Sequence, residues 1–454
     1  MGGATRGKKT KISQEAFDEL VRENVEELGL DRSEAVEDAI ETLTLQGVDL
    51  SGIITSDSDT PHPVLETLNK LKEDDLSVTL LHHFSLLCAA PDDAAIASRN
   101  GAVETLTSIS SKLSTSSDPK LVISALSALS SLLRDVQSNE TFARCGGPDI
   151  IVAIILSKQQ QQQDSVDLLN ACFSVIAASA TGSEILKESF VNLNVDQLII
   201  NAFNHIQPPT IPAALYDAIR VLLTSDDHRV AASQVFGYAR RFAKLGIADA
   251  LANSLRQGLT SSSLVSASVA LKAVVVNDDI CRSVADKGGI DAVLQCIDDS
   301  GEEYNTAVAR SCCSLLCKLA GSDHNKSAIV EKRGIDRLIR LSARFADDPS
   351  VIQEVMYIIS VLCLRSPNHA TRAMEAGAGD LAIQVMQTFP ASQQLQKNAC
   401  LMIRNLVVRN PENRKNLLDN GVEQIIRKAR KSHGNCKDAA TDALRDLGLA
   451  NYNL

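Results

Sequence analysis

"ADKGGIDAVL" occupies Ala285 to Leu294, and "VEKRGIDRLI" occupies Val330 to Ile339. Aligned, the two stretches share an acidic residue, a lysine, a glycine, then Ile-Asp and apolar positions, and they start 45 residues apart. A phrase repeated at that interval points to stacked units, each of which buries its apolar face only against its neighbours. A marker at the second position of the glycine pair recurs at Ala102, Gly147, Asn194, Gly246, Gly289, Gly334, Ala378 and Gly421, with separations of 45, 47, 52, 43, 45, 44 and 43 residues. The period predicts eight three-helix units.

Within the units the apolar periodicity is helical. Ala399, Met402, Ile403, Leu406 and Val407 form one stripe, and Val122, Ala125, Leu126, Leu129 and Leu133 form another, each the buried face of an amphipathic helix. Alternating strand patterns are nearly absent. The recurring glycine is read as the left-handed residue where a short first helix turns sharply into a second, since a residue without Cβ adopts positive φ at little cost. Asp291 and Asp336 follow in the first turn of that second helix, where a carboxylate meets the positive end of the helix dipole; they are helix starters, not catalysts. Aromatic residues make up 3% of the chain and tryptophan is absent, so the core is expected to consist of Ala, Leu, Val and Ile.

The chain has 454 residues, 44% of them apolar, and a formal net charge of −11. No stretch approaches the roughly 20 apolar residues of a membrane helix, so no membrane association is expected. The first residues lack the apolar run of a signal peptide and carry a weak basic cluster, Arg6, Lys8, Lys9 and Lys11. Eleven cysteines without secretory context read as free thiols in a reducing compartment, the cytosol and also the nucleus. From Lys11 to Asp75 there are 18 acidic and 5 basic residues, whereas Lys397 to Asp446 carries 11 basic and 6 acidic ones. The acidic arm is a surface for a basic partner, for the chain's own basic end, or only a solvated helical pair.

Three helices per unit, a glycine after the first and an Ala-rich third helix resemble the armadillo repeat, with "NPENRKNLLDNGVEQIIRKA" from Asn410 as the best single copy. "ISQEAFDELVRENVEEL" (Ile12 to Leu28), "EAVEDAIETLTLQGVDLSGII" (Glu34 to Ile54), "CLMIRNLV" (Cys400 to Val407) and "DAATDALRDLG" (Asp438 to Gly448) are similar, more narrowly, to the armadillo repeat-containing protein 6 family. The expected fold is therefore all-α, an armadillo-type right-handed α-solenoid of stacked three-helix repeats with a helical N-terminal arm. Its expected parts are a basic tail (1–10), an acidic helical arm (11–54), capping helices (55–90), about eight repeats (91–448) and a short C-terminal tail (449–454). The resemblance implies an intracellular interaction protein with no known catalytic activity.

No constellation of chemistry contradicts that implication. Cys312, Cys313 and Cys317 lie on one third helix without the second cysteine pair or spaced histidine of a zinc site, and read as buried small hydrophobes. His82 and His83 are adjacent and lack the intervening glutamate of a metalloprotease helix; Gly377 and Gly379 are not followed by the Lys-Ser or Lys-Thr of a phosphate loop. No catalytic residue, cofactor or metal is expected. The Gln159 to Gln163 run reads as an extended surface loop without assigned function. Nucleic-acid binding is not expected, for want of a basic stripe with stacking aromatics, and the chain is expected to be a monomer.

The resemblance also implies a concave surface lined by third helices, on which some relatives hold an extended peptide through a ladder of Asn side chains with Trp one turn away. Here Asn405 occupies the ladder position, while Ser131, Arg220, Lys318 and Val361 stand at its equivalents and no Trp exists. With Arg220, Lys318, Arg404 and Arg409 near that surface, the expected partner is an acidic peptide or helix of another protein. The 52-residue interval ending at Gly246 holds Phe236, Tyr238, Arg240, Arg241 and Phe242, three aromatics beside two arginines, which reads as an interface hot spot or a longer first helix. The reading is thus a protein-interaction scaffold; the alternative is an adaptor in nuclear transport or in chaperone or ubiquitin pathways.

Overall fold

The computed structural model describes residues 10–12, 14–50, 52–55, 62–73, 76–114, 116, 118–160, 166–206 and 210–453. The basic residues Arg6, Lys8 and Lys9 and most of the glutamine run fall outside them. The chain is an all-α solenoid divided into two compact units. One comprises Met1–Val195 with Asp226–Ala231, the other Asp196–Ser225 with Ala232–Leu454.

The first unit opens with α1 (Gln14–Leu28) and α2 (Arg32–Leu45), followed by α3 (Pro63–Lys72) and α4 (Val78–Leu87). Repeating triplets begin with α5 (Pro91–Arg99), α6 (Ala102–Leu113) and α7 (Pro119–Leu132). They continue with α8 (Val136–Arg144), α9 (Gly147–Gln160), α10 (Val166–Ala180) and α11 (Glu184–Asn192). Several helices start where the chain supplies a cap. Asp135 accepts the Ser138 amide before α8, with the Ser138 hydroxyl returning to the Asp135 backbone, and prolines open α3, α5 and α7. The helices α4, α7 and α10 pack in succession, burying Leu81, Phe84, Leu126, Leu129, Phe173 and Ile176.

The arm has its own core of Phe17, Val21, Ala35, Ala39, Leu43 and Ile53. Two short strands, β1 (Thr10–Lys11) and β2 (Val48–Asp49), pair in parallel across it. Arg99 of α5 donates to the carbonyls of Ile12 and Asp49, at 3.2 and 3.4 Å. No helix among the described residues is long and apolar enough to cross a membrane.

The second unit holds α12 (Val195–His205) and α13 (Ala213–Leu222), and then the triplet α14 (Val235–Lys244), α15 (Ile247–Ser254) and α16 (Ser261–Val274). Next come α17 (Asp278–Asp286), α18 (Gly289–Glu302), α19 (Thr306–Leu319), α20 (Asp323–Glu331), α21 (Gly334–Arg344) and α22 (Pro349–Cys363). The unit ends with α23 (Pro367–Glu375), α24 (Ala378–Thr388), α25 (Gln393–Val407), α26 (Pro411–Asp419), α27 (Val422–Ser432) and α28 (Lys437–Asp446). Its third helices α13, α16, α19, α22, α25 and α28 each pack on the next. Their buried faces are almost wholly Leu, Ile, Val, Ala and Cys.

The left-handed residue of the repeat lies one place earlier than the sequence marker in most units. Positive φ is found at Gly101, Gly146, Gly288, Arg333 and Gly377, and at the marker itself only at Asn194, Gly246 and Gly421. The second glycine has a different task, because a Cβ on Gly289 would stand 2.4 Å from Val284 Cγ1 and 2.7 Å from the Val284 carbonyl oxygen. Gly334 stands in the same relation to Ile329. One glycine serves the backbone and its neighbour serves the close approach of two helices.

The long interval before Gly246 is not a longer first helix. The helix α14 has 10 residues against 9 in α11 and α17, and the excess forms an irregular loop over 223–234. Its Asp227 accepts the Glu184 amide at the start of α11 at 2.9 Å and the Arg229 side chain at 2.9 Å. The Arg229 guanidinium, with help from the backbone amides of Glu184 and Arg229, holds the Asp227 carboxyl well below the usual aspartate range. The neighbouring Asp226 receives the ammonium of Lys187, a lysine with no exposed side-chain surface.

Candidate functional site: a basic cavity at the ends of the third helices

Third helices place a side chain on the surface every three to four residues, so equivalent positions in successive units form rows across the stack. In the second unit one such row opens into a cavity of about 430 Å³ where α16, α19 and α22 meet the start of α17. It is lined by Lys272, Asn277, Ser314, Cys317, Lys318 and Tyr357. Both lysines are exposed, and Tyr357 is 52% exposed. Lys272 Nζ donates to Ser314 Oγ at 2.7 Å across the boundary between two successive repeats, which holds the ammonium at the rim.

The carboxylates nearby are accounted for. Asp278 pairs with Arg282 at 2.9 Å. Glu354 is half-buried, and burial pushes its carboxyl up, against the opposing pull of Lys272 and Arg310. Burial, reinforced by Glu354, pushes the Cys317 thiol up to about 12, so this cysteine stays protonated at neutral pH and is no nucleophile. Asn277 uses its side-chain oxygen to accept the Ile280 amide at the start of α17. What remains is two ammonium groups and a phenol around a concave surface. That arrangement can receive carboxylates and an apolar side chain. No cluster of three or more His, Cys, Asp or Glu poised to hold a metal ion occurs among the described residues.

Of the residues singled out from sequence, Lys318 lies in this cavity. Arg220 is partly exposed, 3.7 Å from Asp217 on its own helix, and Arg409 is exposed with φ of 58°. Two others are corrections. Asn405 spends its amide on the neighbouring third helix, donating to the Ser360 carbonyl at 2.9 Å and the Ser360 hydroxyl at 3.0 Å. Arg404 is paired with Asp442 and Asp446 of α28 at 3.3 and 3.2 Å, so its charge is matched within the chain.

The hot spot read around α14 comes apart in the same way. Tyr238 and Phe242 are core residues, and Arg241 makes a two-pronged ion pair with Asp196, whose side chain is 1% exposed. Only Phe236, 58% exposed, and Arg240 face outward. Two cavity residues were missed, Lys272 and Tyr357. The signal for one of them was present, because Tyr357 lies one turn from Val361, where the armadillo pattern calls for an aromatic beside the Asn position.

Comparison with known proteins supports the resemblance read from the sequence. Residues 9–74 match the family model described as the armadillo repeat-containing protein 6 N-terminal domain, and residues 237–451 match the LRRK2 ARM repeat. The chain is 29% identical to armadillo repeat-containing protein 6 of Homo sapiens over 394 residues, covering 79% of this chain and 75% of that one. It is 24% identical over 385 residues to the Drosophila melanogaster homolog, with 81% and 80% covered. A solved engineered protein from the Northeast Structural Genomics Consortium superposes with a TM-score of 0.57 at 15% identity, over 86% of this chain and 99% of that chain. That likeness concerns the fold alone.

Proposed function

We propose that this chain, an armadillo-type solenoid similar to armadillo repeat-containing protein 6, is a non-catalytic protein-interaction scaffold of the cytosol or nucleus. Its partner is an acidic peptide or helix that lies across the third helices of the second unit. The observation that carries this reading is the meeting of Lys272, Lys318 and exposed Tyr357 around one cavity. A preformed surface of this kind orders a partner without itself folding on binding, and its lysines favour carboxylates over other side chains. An adaptor of the nuclear-transport kind grips peptide backbone through free Asn amides. The donors of Asn405 are instead engaged by Ser360, so the scaffold reading is preferred.

The test is fluorescence anisotropy with an acidic, aromatic-containing peptide and an analogue whose Glu residues are replaced by Gln. Wild-type protein should bind the acidic peptide, with affinity falling as salt rises. Lys272→Glu with Lys318→Glu should weaken binding by about tenfold or more. Equal binding by the double variant, or no preference for the acidic peptide, would remove the cavity as the site.

A further inference from the structure

The N-terminal arm carries a second surface, of opposite charge and independent of the cavity described above. The helices α1 and α2 do not close completely on each other. A groove of about 430 Å³ runs along them with Phe17 and Val21 as its floor and Val25, Val36 and Ile54 as half-buried walls. The apolar positions on α1 are spaced one turn apart, 17, 21 and 25, and Leu28, 61% exposed, continues the stripe to the end of the helix. From 17 to 28 such a stripe extends about 16 Å, three turns of a facing helix.

The groove is built before anything enters it. Ile54 is held against α1 by both ends of one amide side chain: Gln14 Nε2 donates to the Ile54 carbonyl at 3.1 Å, and the Ile54 amide donates to Gln14 Oε1 at 2.8 Å. The arm is also tied to α5 through Arg99. A preformed groove with an apolar floor and half-buried apolar walls gains free energy when another apolar stripe covers them.

Charge selects the occupant. Between Gln14 and Leu45 the sequence carries eleven acidic residues against two arginines, Arg22 and Arg32. Asp18 and Glu26 stand on the rim of the groove beside both arginines, and the acidic excess lies on the exposed flanks of the two helices, at Glu19, Glu23, Glu27, Glu34, Glu37 and Asp38. A second copy of this chain would bring the same acidic face to the same place, and like charges disfavour that pairing. We infer that the arm docks an amphipathic helix of a basic partner protein. The partner's apolar side chains at i, i+3/i+4 and i+7 would lie in the trough, and its Lys and Arg would face the flanking carboxylates.

The probe is a synthetic helix of about 18 residues, with Leu on one face and Lys on the flanks, labelled for anisotropy and titrated with the full chain. Its controls are a scrambled peptide of the same composition and a Leu/Glu analogue. The amphipathic Lys peptide should bind at least about tenfold tighter than the scrambled one at about 50 mM salt and retain part of that preference at about 300 mM, because apolar contact is not screened. Val25→Asn with Val36→Asn should abolish the preference. Glu23→Lys with Glu27→Lys, two exposed positions that leave the apolar walls untouched, should weaken binding mainly at low salt. Lys272→Glu with Lys318→Glu should leave this binding unchanged, which keeps the two surfaces separate. The inference is overturned by equal binding of the scrambled peptide, by equal binding of the Leu/Glu analogue, by full binding to both arm variants, or by an arm-dependent dimer in sedimentation.

Discussion

At the scale of single residues, the repeated phrase separates two demands that its spelling merges. Gly288 and Arg333 hold positive φ at equivalent positions, and only the first is a residue without a Cβ. Arg333 is 73% exposed on its side chain and stands 3.7 Å from Asp336, too weak a contact to offset a left-handed backbone that costs roughly 1 kcal/mol or more for a residue with Cβ. Arg333→Gly should therefore raise stability by up to about 1 kcal/mol, after the greater freedom of glycine in the unfolded chain is subtracted. Gly289→Ala should do the opposite, by about 1 to 3 kcal/mol, because the new Cβ meets both the stiff, buried Val284 side chain at 2.4 Å and the Val284 carbonyl oxygen at 2.7 Å. Urea unfolding of the two variants should show opposite signs. Two shifts of the same sign would mean that the phrase does not divide its tasks this way. The spacing of the phrase was legible in the sequence; which of its two positions bends the chain was not, since that depends on where Val284 and Ile329 come to rest.

At the scale of elements, the helix α14 shows how far composition can mislead. Three aromatics and two arginines in seven residues resemble an interface, yet Val235, Tyr238, Ala239 and Phe242 fall at i, i+3, i+4 and i+7 and are all buried. Read by period and not by residue type, the same stretch assigns Tyr238 and Phe242 to the core. The role of Arg241 had no such signal, because its partner Asp196 lies 45 residues earlier and in another helix. The pair is lopsided: the arginine is 40% exposed and the aspartate 1%. Arg241→Ala strands a buried carboxylate and should cost about 2 to 3 kcal/mol, whereas Asp196→Ala leaves an arginine that turns to water and should cost less. Thermal melts of both variants measure the difference; equal losses would mean that the aspartate is hydrated in solution. The same asymmetry argues against charge reversal at Arg241 as a clean probe of binding, since it would act through stability first.

At the scale of the whole molecule, a core of small aliphatic residues packed helix on helix encloses most of the thiols, and only Cys296 and Cys436, each hydrogen-bonded to a second cysteine, are pulled down from the usual thiol range among those whose shift is resolved. Burial pushes Cys88, Cys172 and Cys363 up to about 12, and nine of the eleven cysteines are buried, with Cys145 and Cys317 intermediate. Titration with a chromogenic disulfide near pH 8 should therefore proceed slowly on the folded protein and reach eleven thiols only in denaturant. Rapid reaction of most thiols under native conditions would show that the stacked helices open far more readily than their packing implies.

Period, helix type, the apolar faces and the sign of each segment's charge follow from the sequence alone, because each is set by local spacing and composition. So does the resemblance, which rests on phrases the fold does not dictate. What only the tertiary structure decided is which charged and aromatic side chains are spent inside the chain. Arg241, Arg404 and Asn405 find partners 38 to 45 residues away by stacking one repeat on the next, while Lys272, Lys318 and Tyr357 are left at the surface by the same stacking. A repeat fixes its own helices locally, but a side chain becomes free or bound only when the neighbouring unit arrives.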